Sequence, residues 1–213
     1  MATTTQEIIT AFELYVDDAT ELSSAEELTL ANKIYRKVLN DRPWSFLKKS
    51  FTGTTSTTVP YVELPSDFKY ILANYSYTDN TIDNAPVSAP VVVFVGTNYS
   101  PYRVVNWSDR RQYRNQNNIC YIDPVSSRLY FTIQPTSAQP IEFDYVYKPV
   151  DLTLATRPVW DSDFDDIITH GMASEDYIIQ QFDKAKSYAQ ENQAKYAKYL
   201  LDMQYNDSQF ILN

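Results

Sequence analysis

The stretch Asn40 to Lys49, NDRPWSFLKK, separates two kinds of hydrophobic pattern, and that change constrains the fold more than any other feature of the chain. Before it, apolar residues recur every three or four positions, as on one face of a helix. After it, they come in short β-branched and aromatic runs cut by Pro, Asn, Asp and Ser. Pro43 disfavours helical geometry at Arg42, so the preceding helix should end near Asn40. Trp44, Phe46 and Leu47 are then expected to pack at a hinge or seam between a helical part and a β part.

Two helix starts precede this step. Thr4 with Glu7, and Ser24 with Glu27, match the capping box in which side chain and backbone satisfy free N–H groups reciprocally. Ile8, Phe12 and Tyr15, flanked by Ile9 and Val16, give the first helix its buried face. Leu28, Ala31, Ile34, Tyr35, Val38 and Leu39 do the same for the second, with the acidic turn VDDATELSS between them.

From Trp44 to Trp160 the candidate strands are YVEL, KYILANYSY, PVVVFVG, YRVVNW, ICYI, RLYFTI and IEFDYVY, spaced about ten residues apart as in an antiparallel sandwich or barrel. IDPVSSRLYF reads as a hairpin whose turn is made by Pro124 and the serines. FTGTTSTTV is polar and rich in Thr, and fits an exposed hairpin arm or a linker.

Helical periodicity returns at WDSDFDDIITHG and runs almost to Tyr205, as one helix or as two broken at Gly171 or in QENQAK. The predicted class is α+β. A helical bundle comes from residues 1–42 and 161–206, a β-rich sandwich or barrel lobe from 43–160 is inserted into it, and 207–213 form a C-terminal tail.

The residue inventory excludes several chemistries. The three glycines, Gly53, Gly96 and Gly171, are far apart, so no loop can bring bare backbone up to a phosphate. A formal charge of −9 opposes binding to the outside of DNA, which needs clustered cations. The single Cys120 reads as a small buried hydrophobe, and the single His170 as structural, since no Ser or Cys motif accompanies it. Asp161, Asp163 and Asp165 alternate like the start of a calcium loop, but Asp166 and Met172 stand where that loop needs glycine and glutamate. Ser162 or Asp163 capping a helix explains the run better. No cofactor or metal is expected, and no catalytic triad can be assembled from these residues. Nor does a secretory signal or an apolar run of about 18 residues appear, so no membrane association is expected.

One segment is locally basic. YRVVNWSDRRQYRNQNN carries Arg103, Arg110, Arg111 and Arg114 among aromatics, and is read as a solvated loop or as an interface with acidic neighbouring subunits rather than as a nucleic-acid site.

The order of these features resembles a tailed-bacteriophage head-to-tail connector protein of the adaptor or tubular type. The resemblance rests on the helix pair ending in RPWSFLKKS, then VELPSDFKYI, NWSDRRQYRN, RLYFTIQPTSAQPIEFDYVYKPVDLT, and PVWDSDFDDIITHGMASEDYI opening a long helix, together covering most of residues 5–185. It implies a non-enzymatic virion structural protein, present in the host cytoplasm during assembly. There it would form a ring of twelve subunits between portal and tail proteins, with DNA passing through unbound.

Candidate inter-subunit or portal contacts are Arg42, Trp44, Lys48, Lys49, Arg110, Arg111, Arg114, Phe210, Ile211 and Leu212. The alternative is a carbohydrate-binding or adhesin module of a virion, for which Trp44, Trp107 and Trp160 would stack sugars. An enzyme such as a glycoside hydrolase has only abundant carboxylates in its favour.

Overall fold

The computed structural model describes residues 3–16, 22–72, 92–180 and 185–211, with the side chains of 176–180, 185–186 and 209–211 outside that description. The chain divides into two compact units, residues 1–46 with 149–213 and residues 47–148.

The first unit is helical. Helix α1, Thr5–Val16, is capped by Thr4, whose Oγ1 accepts the Glu7 N–H at 3.3 Å while Glu7 accepts the Thr4 N–H at 2.7 Å. Helix α2, Ser24–Asp41, ends at Arg42 in extended geometry, as Pro43 requires. Its capping box is made by Ser23 and Glu26, one residue earlier than the Ser24 and Glu27 expected from sequence. Glu27 cannot reach back, because it is buried. Burial, with Glu13 beside it, raises the pKa of its carboxyl.

Helices α3, Asp166–Gln180, and α4, Ala185–Ile211, follow, and α3 packs on α1, α2 and α4. Gly171 and the QENQAK stretch lie inside these helices, so neither is the break that the sequence suggested. Helix α4 also continues past Tyr205 to Ile211. Its last turns keep their periodicity with polar residues: Asp207 is buried and accepts the Ser45 N–H at 2.8 Å, and Gln204 donates to Asp41 at 2.8 Å.

Residues 149–160 belong to this helical unit rather than to the β region. Thr5 N–H donates to Thr156 O at 2.8 Å and Gln6 N–H to Leu154 O at 3.1 Å, which satisfies two donors that the first turn of α1 leaves free. Buried Asn32 exchanges two hydrogen bonds with the Leu152 backbone, and Arg36 pairs with Asp151. The unit's core holds Ile8, Ile9, Phe12, Ile34, Tyr35, Val38, Trp44, Ile167, Ile168 and Met172.

The described residues of the second unit form an eight-stranded sheet that nearly closes into a barrel. Its strands are β1 Lys48–Thr54, β2 Tyr61–Glu63, β3 Phe68–Ile71, β4 Val92–Val95, β5 Ser100–Val105, β6 Ile119–Asp123, β7 Arg128–Phe131 and β8 Pro140–Tyr147. Their order is β1-β8-β4-β5-β6-β7-β2, with β3 also on β8. The ANYSY half of one predicted strand lies outside the described residues. The Thr-rich segment expected as an arm or linker begins as β1, which pairs along β8 from Lys48↔Val146 to Thr54↔Pro140.

The sheet is mixed rather than antiparallel, because β5 and β6 pair in parallel. A parallel pair needs a crossover of about a dozen residues, and residues 106–118 supply it. In sequence that spacing is hard to tell from a long hairpin loop. Strand β8 alternates as its half-buried position demands, with Ile141, Phe143 and Tyr145 inward and Glu142 and Asp144 outward. These join Val62, Val93, Cys120, Leu129 and Phe131 in the core.

Candidate interaction surfaces

At the end of α2 the chain turns back on its own helix. The Trp44 indole is fully buried and donates to Val38 O at 2.8 Å, which closes one of the carbonyls that a helix end leaves open. Phe46 stacks on Trp44 with ring centroids 5.6 Å apart. The Arg42 guanidinium lies 5.4 Å from the Trp44 ring, and its Nε stands 3.9 Å from Asp207 Oδ2. Arg42 and Trp44 therefore work inside the helical unit.

Lys49, on β1, is also committed. Its Nζ contacts Asp67 Oδ2 at 2.7 Å and sits 4.0 Å from the Tyr147 ring centroid. The hydrogen bond to Asp67 raises the Lys49 pKa and lowers that of Asp67. Lys48 is exposed and makes no ion pair among the described residues.

The arginines of the basic segment lie on the crossover. A 3-10 turn at Trp107–Asp109 starts it, and turns with Asn115 and Asn118 at positive φ, 64° and 57°, carry the chain into β6. Asn tolerates that conformation better than most residues. The Arg110 guanidinium covers the Trp107 ring at 3.6 Å and donates to Trp107 O at 2.6 Å. Arg111 and Arg114 are exposed and have no ion pair among the described residues. Leu212 lies outside the described residues, as do the side chains of Phe210 and Ile211, although α4 runs through Ile211.

Charge is unevenly divided, a feature the overall balance hides. Residues 47–148 carry nine Lys and Arg against eight Asp and Glu, a formal +1, so the helical unit carries −10 of a total of −9. Its acids gather where α3 begins. Asp161 accepts the Asp163 N–H at 3.3 Å and caps a 3-10 turn at Ser162–Phe164, a role the sequence reading gave to Ser162 or Asp163. Asp161 and Asp163 are exposed, without an ion pair among the described residues. Asp165 is buried, and desolvation pushes its pKa up to about 6 despite Thr3, Trp160 and Arg157 nearby.

The remaining singular residues sit inside the fold. His170 Nδ1 meets Asn192 Oδ1 at 3.0 Å, with its ring between Tyr15 and Tyr199. Cys120 is wholly buried in the β core, and burial pushes its thiol pKa well up. Of the sugar-stacking candidates, Trp44 and Trp160 are buried and Trp107 lies under Arg110.

A family model described as the SU10 adaptor protein matches residues 3–210. The chain belongs to the SU10 adaptor protein family. The adaptor is therefore a bacteriophage structural protein of the head-to-tail adaptor type, a component of the virion whose partners are other virion proteins. No curated protein sequence matches it. Among the adaptor's described residues, no helix is long and apolar enough to cross a membrane.

Proposed function

We propose that copies of this chain close into a ring of twelve at the head-to-tail junction, joining the portal to the tail and continuing the DNA channel. The observation that carries the reading is the match to an adaptor family over nearly the whole chain. In this reading helices α1–α4 act as a bundle that docks on the portal and on neighbouring copies, and the β unit faces outward or toward the tail. A closed ring needs two different complementary surfaces on each subunit. A helical unit at −10 and a β unit at +1 provide a basis for them. The net negative charge suits a channel wall past which a polyanion slides without binding.

Lys48, Arg111 and Arg114 are the interface candidates exposed without an ion pair among the described residues, whereas Arg42, Trp44, Lys49 and Arg110 are each engaged by residues of their own unit. The apolar end Phe210, Ile211 and Leu212 is a further candidate for contact with a neighbouring copy or with the portal. The purified chain should co-sediment with purified portal rings as a stoichiometric layer. Failure to bind portal under any ionic condition would remove the reading.

A further inference from the structure

The helical unit contains a pocket that its own residues leave incomplete. It has a volume of about 260 Å³, with Phe46, Val159, Trp160, Phe164 and Met203 as its apolar lining and Asp161, Asn206 and Asp207 as polar lining. Asp207 is only 4% exposed. Its Oδ1 accepts the Ser45 N–H, but its Oδ2 is buried without a hydrogen bond among the described residues, and Arg42 Nε stops 3.9 Å away. A buried carboxylate oxygen without a donor is costly, and the most direct remedy is a cationic N–H group. The nearby Arg157 is occupied elsewhere, donating to Trp160 O at 3.0 Å.

An aromatic and thioether lining beside carboxylates fits one side chain best. Arginine lays a hydrocarbon stem and a flat guanidinium on apolar surface while its N–H fork meets carboxylate oxygens. An anion is opposed by Asp161 and Asp207, and a wholly apolar group would leave Oδ2 unsatisfied. The β unit displays suitable side chains: Arg111 and Arg114 stand exposed on the 106–118 crossover without ion pairs among the described residues, just as Asp161 and Asp163 do beside the pocket.

We infer that an arginine of this crossover, Arg111 or Arg114, seats in the Trp160 and Asp207 pocket of a second copy of the chain. This rests on the ring reading above. It supplies that reading with a donor surface and an acceptor surface on different units of one chain, as a head-to-tail contact requires.

The test uses the full chain, alone and with purified portal rings. Asn206→Cys at the pocket and Gln112→Cys on the crossover are both exposed, and Cys120 is buried out of reach. Under mild oxidation the double-cysteine chain should form disulfide ladders between copies. Separately, Arg111→Glu with Arg114→Glu should weaken self-association by about tenfold or more while the thermal melt of the monomer stays unchanged. Asp207→Asn, which keeps an acceptor for Ser45, should weaken it in the same sense.

If rings form at wild-type strength in the Glu variant and no ladder appears, the pocket assignment is overturned and the ring reading survives. Loss of portal or DNA binding with self-association intact overturns it too, because the occupant is then not a second copy. If no ring forms in any condition, with or without portal, both readings fall.

Discussion

A Cβ added at Gly171 would lie 2.6 Å from Ile34 Cγ2 and 3.2 Å from Tyr196 Cδ2, closer than packed atoms approach. Glycine is therefore required where α2, α3 and α4 converge, and Gly171→Ala should destabilise the protein by about 1–3 kcal/mol through overpacking, despite alanine's better helix propensity. Denaturant midpoints measure this, and a stabilised variant would contradict it. Asp165 makes a prediction of the opposite kind. Its folded pKa of about 6 lies above the ordinary 3.8, so the folded state holds that proton longer than the unfolded one. Its contribution is fully present below about pH 4 and is lost as pH rises through 6. Asp165→Asn should remove that loss, so the stability difference between variant and wild type should grow from pH 4 to pH 7. A difference independent of pH would show that Asp165 titrates normally. Neither role can be read from sequence, where Gly171 looks like a break and Asp165 like one more carboxylate at a helix start.

Caps and crossovers belong to the scale of elements. Overlapping boxes, Ser23 with Glu26 and Ser24 with Glu27, stand at the start of α2, and only packing decides between them. Because Glu27 turns into the core, Ser23 is the cap. Ser23→Ala should cost about 1 kcal/mol of stability, whereas Ser24→Ala should be nearly neutral, a contrast that thermal melts of the two variants can read. Equal effects would place the cap wrongly. Helices and most strands were legible because their apolar residues keep a period. The parallel β5–β6 pair was not, since strand direction leaves no trace in the pattern of a single strand. The end of α4 was missed for another reason, because Asp207 holds an inward position with a hydrogen bond rather than an apolar surface.

Across the whole molecule, the order of elements along the chain carried the family resemblance, and the match over residues 3–210 agrees with it. What the sequence obscured was how charge and contacts are shared. Leu152, Leu154 and Thr156 look like loop residues of a β region, yet they are bound through their backbone to α1 and α2. An overall −9 conceals a helical unit at −10 beside a β unit at +1. Which interface candidates are exposed and unpaired is not legible in the sequence, because exposure and pairing depend on neighbours distant along the chain. Contacts within the fold separate Lys48, Arg111 and Arg114 from Arg42, Trp44 and Lys49. The most direct measurement is a reconstruction of the head-to-tail junction from intact virions, with this chain fitted into the density. One closed ring of twelve copies between portal and tail, surrounding the DNA channel, is the expected result. Finding the chain on the capsid surface or on a tail fibre, or in no closed ring at the junction, would contradict it.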